Sequence, residues 1–322
     1  MLGFNLIPPG TKFNFIPHRK LFFIFSGLLM LFSIGLFTIK GLNYGIDFQG
    51  GIMMDVRTSQ AADIGKMRSQ LGALGLGEVA LQEFGQPNDV LIRIQRQKGG
   101  EAAQQAAIAK VKEALGPGVE YRRTEFVGPK VSKELFWDGV MAVSFAMLAI
   151  MVYIWFRFEW QFGLGAVIAL IHDVLSTIGI FSLLGFEFNL STVAAVLTIA
   201  GYSINDTVVV YDRVRENLRK YKKLPLPELL NDSINQTLSR TVITSLTTLL
   251  ALLALFFLGG EVIHDFSFAM IWGVIIGTYS SISLAVPLLL YFNVRRSGLA
   301  GDGPAEGPPD KPAEEAAAIP SP

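Results

Sequence analysis

The 322-residue chain has no cysteine and three histidines, His18, His172 and His264. The first absence excludes a disulfide framework, thiolate metal sites and a cysteine nucleophile. The second leaves too few imidazoles for a histidine-rich metal site, and no HExxH pair occurs. Charge is scarce as well. Charged residues make up 17% of the chain, where soluble domains carry about 25%. The formal net charge is zero, so no basic field argues for nucleic acid. In place of charge stand long apolar runs: 51% of residues are hydrophobic and the mean hydropathy is +0.44. Such runs indicate helices that cross a bilayer.

Six spans are expected, at 21–39, 135–156, 162–184, 190–211, 238–258 and 266–292. The first follows a basic lead containing Lys12, His18, Arg19 and Lys20, within a segment 1–20, and lacks a small-x-small cleavage site before Lys40. It reads as a retained signal anchor. Lys and Arg gather in alternate short segments: Arg157, then Arg213, Arg215, Arg219, Lys220, Lys222 and Lys223, then Arg295 and Arg296. Glu187, Glu261 and Asp265 occupy the opposite loops. By the positive-inside rule both ends are expected in the cytoplasm.

Residues 40–134 are too long and too polar for a loop and should form an exported α/β domain. Ile52–Arg57 partly alternates as a half-buried strand does. Ser59–Leu74 reads as a helix capped by Ser59 and closed by Gly75. Glu78–Phe84 and Asp89–Gln95 read as strands joined by the turn Gly85-Gln86-Pro87-Asn88. Glu101–Leu115 is an Ala-rich helix ended by Gly116-Pro117, and Val119–Val127 a last strand. The order βαββαβ predicts a ferredoxin-like sandwich ahead of a five-helix bundle at 135–295. The tail at 296–322, rich in Gly, Pro, Ala and Glu, is expected to be disordered.

Three ionisable residues lie at membrane depth, where each is costly and marks an ion or proton pathway or a pairing partner by default. Asp173 sits near the middle of the third span, beside His172. Asp206 lies toward the end of the fourth, next to Asn205, with Tyr202 and Ser203 one turn earlier on its face. Arg240 opens the fifth, with Thr244 and Thr247 along its own face. The fourth and fifth spans run in opposite directions, and a rise of about 1.5 Å per residue puts Asp206 and Arg240 at similar depth. Burial disfavours a charged carboxyl and a nearby guanidinium favours it, so such a pair is a poised proton switch. The plainer reading is a static ion pair that staples two helices. An intramembrane aspartyl dyad would need a GxGD motif and a rhomboid-type hydrolase a GxSxG serine. Neither is found, so the chain is not expected to be an enzyme.

The run AGYSINDTVVVYDRVREN at 200–217 closely resembles the SecD/SecF family of protein-export membrane proteins. GIDFQGG at 45–51, Val127-Gly128-Pro129, His172-Asp173-Val174 and Ser239-Arg240-Thr241 resemble it too. The resemblance implies a resistance-nodulation-division-like six-helix half that pairs with SecD. That complex would use the proton-motive force, with no other cofactor, at the late periplasmic stage of export through SecYEG. It implies contact with the translocating preprotein, the inner-membrane lipids, and the accessory proteins YajC and YidC. It also implies proton coupling by Asp206 and Arg240, with Asp173 beside them and Asn205, Ser203 and Thr244 in support. A proton-driven small-molecule or lipid exporter, or a passive assembly scaffold, are the alternatives.

Overall fold

The computed structural model describes residues 12–77, 79–259, 263–292 and 294. The expectations for Glu78, Glu261, Arg295, Arg296 and the 296–322 tail fall outside them. Six helices are long and apolar enough to cross a membrane, and a small α/β unit separates the first from the second.

Helix α1 (Arg19–Ile39) leads into a two-residue strand β1 (Asn43–Tyr44) and a single turn α2 (Ile46–Gln49). The α/β unit follows as β2 (Gly51–Thr58), α3 (Ile64–Gly72), β3 (Val79–Phe84), β4 (Gln86–Ile94), α4 (Gly100–Leu115) and β5 (Val119–Val127). The strands pair antiparallel in the order β3-β4-β2-β5. That is the ferredoxin-like arrangement, with both helices on one face. Strand alternation explains it: Ile52, Met54 and Val56 of β2 and Val90, Ile92 and Ile94 of β4 point the same way. They pack on Met67 and Leu71 of α3 and Ala107, Ile108 and Val111 of α4.

Two local boundaries differ from the expectation. Helix α3 starts at Ile64, not Ser59, because Asp63 is the cap: its carboxylate accepts the Lys66 N–H at 2.9 Å. The preceding residues are held elsewhere, the Ala62 N–H donating to the Pro87 carbonyl at 2.8 Å. The turn between β3 and β4 is also tighter than Gly85–Asn88. Gly85 alone reverses the chain at φ +68°, with a bulge after Glu83, and β4 has begun by Gln86.

The bundle comprises α5 (Pro129–Arg157), α6 (Trp160–Leu184), α7 (Leu190–Lys220), α8 (Leu226–Leu258) and α9 (His264–Ser280). Helix α9 runs on into a π-helical segment, Ser281–Ala285, and a short α turn, Val286–Leu288. Helices α7 and α8 outrun their apolar spans because their polar ends remain helical. Asn217 of α7 donates to Ser233 Oγ and Gln236 Oε1 of α8 at 2.8 and 2.9 Å, zipping the hairpin together. At this same end Asn231 and Asn235 clasp Phe13 and Phe15: the Phe13 and Phe15 N–H groups donate to their side-chain oxygens at 2.8 Å. At the other end a short strand β6 (Glu187–Phe188) pairs parallel with β1. This joint ties the α/β unit to the bundle.

Candidate functional site

Helix α7 is the central rod of the site. Asn189 starts it with a reciprocal capping box with Thr192, and the Asp47 carboxylate takes the Leu190 N–H at 2.9 Å. Asp47 belongs to the glycine-rich GIDFQGG turn, where Gly50 and Gly51 have φ of +71° and +128°. A side chain at Gly51 would strike the Ile94 carbonyl, so glycine is required there.

Asp173 of α6 is fully buried. One carboxylate oxygen meets His172 Nδ1 at 2.9 Å. The other accepts hydroxyls from Ser203 of α7 at 2.5 Å and Ser280 of α9 at 2.7 Å. Ser176 and Thr177 donate back to the Asp173 carbonyl at 2.9 and 2.8 Å, and Trp272 Nε1 donates to Ser176 at 3.3 Å. The Nε2 atom of His172 is buried with no hydrogen-bond partner. A proton on Nδ1 is the one that the Asp173 carboxylate can accept.

Asp206, on the same helix as Ser203, is also buried. Its two oxygens accept from Thr241 of α8 at 2.8 Å and from Ser281 at the start of the π segment. Each carboxyl is thus enclosed by groups from neighbouring helices, and hydroxyls supply most of the contacts. A hydroxyl can donate to a carboxylate or accept from a carboxylic acid. The shell therefore suits either protonation state. Among the described residues no group of three His, Asp or Glu side chains could hold a metal ion.

No direct ion pair joins Asp206 and Arg240, although the guanidinium is near enough for its charge to act on the Asp206 carboxyl. Thr241, the next residue, makes the contact, while Arg240 is exposed on the chain's surface. Successive helix residues diverge by about 100°, so Thr241 and not Arg240 makes the direct contact. Asn205 and Thr244 are likewise exposed and take no part in the shell. Ser203 serves Asp173 rather than Asp206, and Tyr202 reaches Ser245 at 3.4 Å. Ser280 and Ser281 lie outside the motifs read from the sequence, and Thr241 enters it only within Ser239-Arg240-Thr241. The run Thr278-Tyr279-Ser280-Ser281-Ile282-Ser283 inside an apolar span was the available signal.

These features define a multi-pass membrane protein with two buried acids in a mostly hydroxyl-lined interior. The chain belongs to the SecD/SecF family of protein-export membrane proteins. The family profile "Protein export membrane protein SecD/SecF, C-terminal" matches residues 107–295, and "SecD/SecF GG Motif" matches 35–62. The protein translocase subunit SecF of Rickettsia rickettsii is 50% identical over 296 residues, 91% of this chain and 96% of that one. The same-named subunit of Rickettsia prowazekii is 49% identical over 294 residues, 91% and 94%. Among solved structures, SecDF of Thermus thermophilus, a translocon-associated membrane protein, superposes with a TM-score of 0.81 at 39% identity. The match covers 89% of this chain and 39% of that one. SecDF in a super-membrane-facing form gives 0.64 at 37% identity, covering 91% and 40%.

Proposed function

We propose that this chain is the SecF half of a proton-driven protein-export complex, a transport subunit and not an enzyme. Its partner is SecD, and together they use the proton-motive force to draw preproteins from SecYEG at the late, periplasmic stage. YajC and YidC are further partners in this reading. The chain lies in the bacterial inner membrane with both ends in the cytoplasm and the α/β unit in the periplasm. The observation that carries the reading is the pair of acids, Asp173 and Asp206, each buried among donors that accommodate a proton gained or lost.

In the mechanism, a proton arriving at Asp206 removes a charge from the interface of α7, α8 and α9. Its attraction for Arg240, one residue from the bonded Thr241, then falls. Helix α8 moves against the SecD half, whose helices cover the exposed guanidinium. The joint at β1 and β6 passes that movement to the periplasmic unit. The gradient supplies about 2.3 kcal/mol per charge per 100 mV.

The test is export in inverted vesicles or proteoliposomes holding the intact complex. Asp206→Asn and Arg240→Met are expected to abolish stimulation by the proton-motive force while the complex still co-purifies with SecD. Full stimulation in both variants would refute the coupling role. Loss of SecD from the complex would favour the passive scaffold.

A further inference from the structure

Neighbouring residues on a helix point about 100° apart, and α9 uses that divergence at Ser280 and Ser281. Ser280 reaches Asp173 on α6 and Ser281 reaches Asp206 on α7. The helix changes from α to π hydrogen bonding at this point, a rare local register often found at functional sites. Each serine also has a second acceptor. Ser280 Oγ lies 3.2 Å from the Gly277 carbonyl, and Ser281 Oγ lies 3.0 Å from the Thr278 carbonyl. A serine has one hydroxyl proton, so it serves the carboxylate or the carbonyl, never both fully.

We infer that Ser280 and Ser281 are rotating hydroxyl switches that let the two buried acids take up and release protons without leaving an unpaired donor. The inference rests on the proton-coupled reading above. With Asp206 ionised, Ser281 donates its O–H to the carboxylate. When a proton from the gradient lands on Asp206, the new carboxyl O–H donates to Ser281 Oγ, and the serine proton swings to the Thr278 carbonyl. On release the steps reverse, and the serine keeps its own proton throughout. Ser280 does the same for Asp173, using the Gly277 carbonyl. Fixed donors would oppose the protonated acid, and an apolar wall would oppose the carboxylate. The ionisable side chains around the pair are His172 and Asp173 on α6, Asp206 on α7, Arg240 on α8 and, on α9, Tyr279, whose ring packs against that of His172. The serine segment itself carries no charge. These serines are positioning residues for the proton-accepting oxygens.

The experiment uses the full complex in membranes, with infrared difference spectra recorded across a pH jump. The carbonyl band of protonated Asp206 is assigned by its loss in Asp206→Asn. Ser281→Ala is expected to move that band to higher wavenumber and to lower proton-driven export about tenfold, the equivalent of one hydrogen bond to a charged group. Ser281→Thr, which keeps the hydroxyl, restores both. Ser280→Ala shifts the Asp173 band and leaves that of Asp206 in place. Should Ser281→Ala fail to assemble, Ser281→Cys, a weak donor of similar size, is expected to shift the band part of the way. An unmoved band in Ser281→Ala or Ser281→Cys overturns the inference, whatever export does. Full proton-driven export in Asp206→Asn overturns the coupling reading instead, and the band shift still decides the serine role.

Discussion

At the scale of single residues, the site depends on what each buried carboxyl finds around it. Asp173 satisfies His172, Ser203 and Ser280 at once. Replacing it by Leu would leave His172 and Ser203 without this acceptor at a buried site, at about 1–3 kcal/mol for each, while Ser280 falls back on the Gly277 carbonyl. Asp173→Asn keeps an oxygen acceptor. Asp173→Leu is therefore expected to lower the melting temperature of the detergent-solubilised protein markedly more than Asp173→Asn; equal losses would show that the hydrogen bonds contribute little. Both acids were visible in the sequence, because a carboxylate in an apolar run has few bland explanations. Their partners were not. A serine in a membrane helix is satisfied by its own backbone and so announces nothing, and the period of a helix does not say which neighbour a given face meets. Arg240 shows the second limit: counting along the chain does not say that its neighbour Thr241 makes the bond to Asp206.

At the scale of elements, α7 carries most of the site, and its start is fixed by the Asn189–Thr192 box. Asn189→Ala should cost about 1 kcal/mol, read as a lower midpoint in thermal unfolding. In the sheet, Arg57 on β2 forks onto the buried Asp89 of β4 with bonds of 2.6 and 2.8 Å. That fork holds the Asp89 carboxyl below the usual range. A group depressed in the folded state adds stability above its unfolded value and loses it as pH falls through the folded one. The fork should thus be intact at neutral pH and fail only in acid. Arg57→Ala is expected to lower the midpoint of thermal unfolding, with Arg122, 3.5 Å from Asp89, offsetting part of the loss. The strands and helices of this unit were legible because alternation and glycine punctuation are local signals. The tight reversal at Gly85 was hidden by turn-forming residues that in fact open β4.

At the scale of the whole molecule, the α/β unit meets the bundle through a charged joint. Arg93 of β4 pairs with Glu187 of β6 and donates to Asn43 at 3.1 Å. The Glu187 N–H donates to Asp265 at 2.9 Å. Burial pushes the Glu187 carboxyl above its ordinary value, Arg93 opposes the rise, and Asp265 and Asp47 add to it. Because the joined state holds this proton more tightly than a solvated glutamate does, proton uptake favours the joint. Its hold should weaken as pH climbs from a solvated glutamate's 4.5 through the raised value. The sequence has no cysteine, so two introduced cysteines, at Lys110 and Thr198, would carry spin labels without background. The distance distribution between them should broaden with rising pH. Glu187→Gln should remove that dependence, and Arg93→Ala should broaden the distribution at every pH. A width indifferent to both substitutions would mean that the short β1–β6 pairing holds the unit by itself.

The clasp of Asn231 and Asn235 on Phe13 and Phe15 has a consequence for how the chain is made. Phe13 and Phe15 are synthesised more than 200 residues before the asparagines that hold them. Until α8 is made, that segment lacks both of these partners. The contact between this segment and α8 therefore forms late in synthesis.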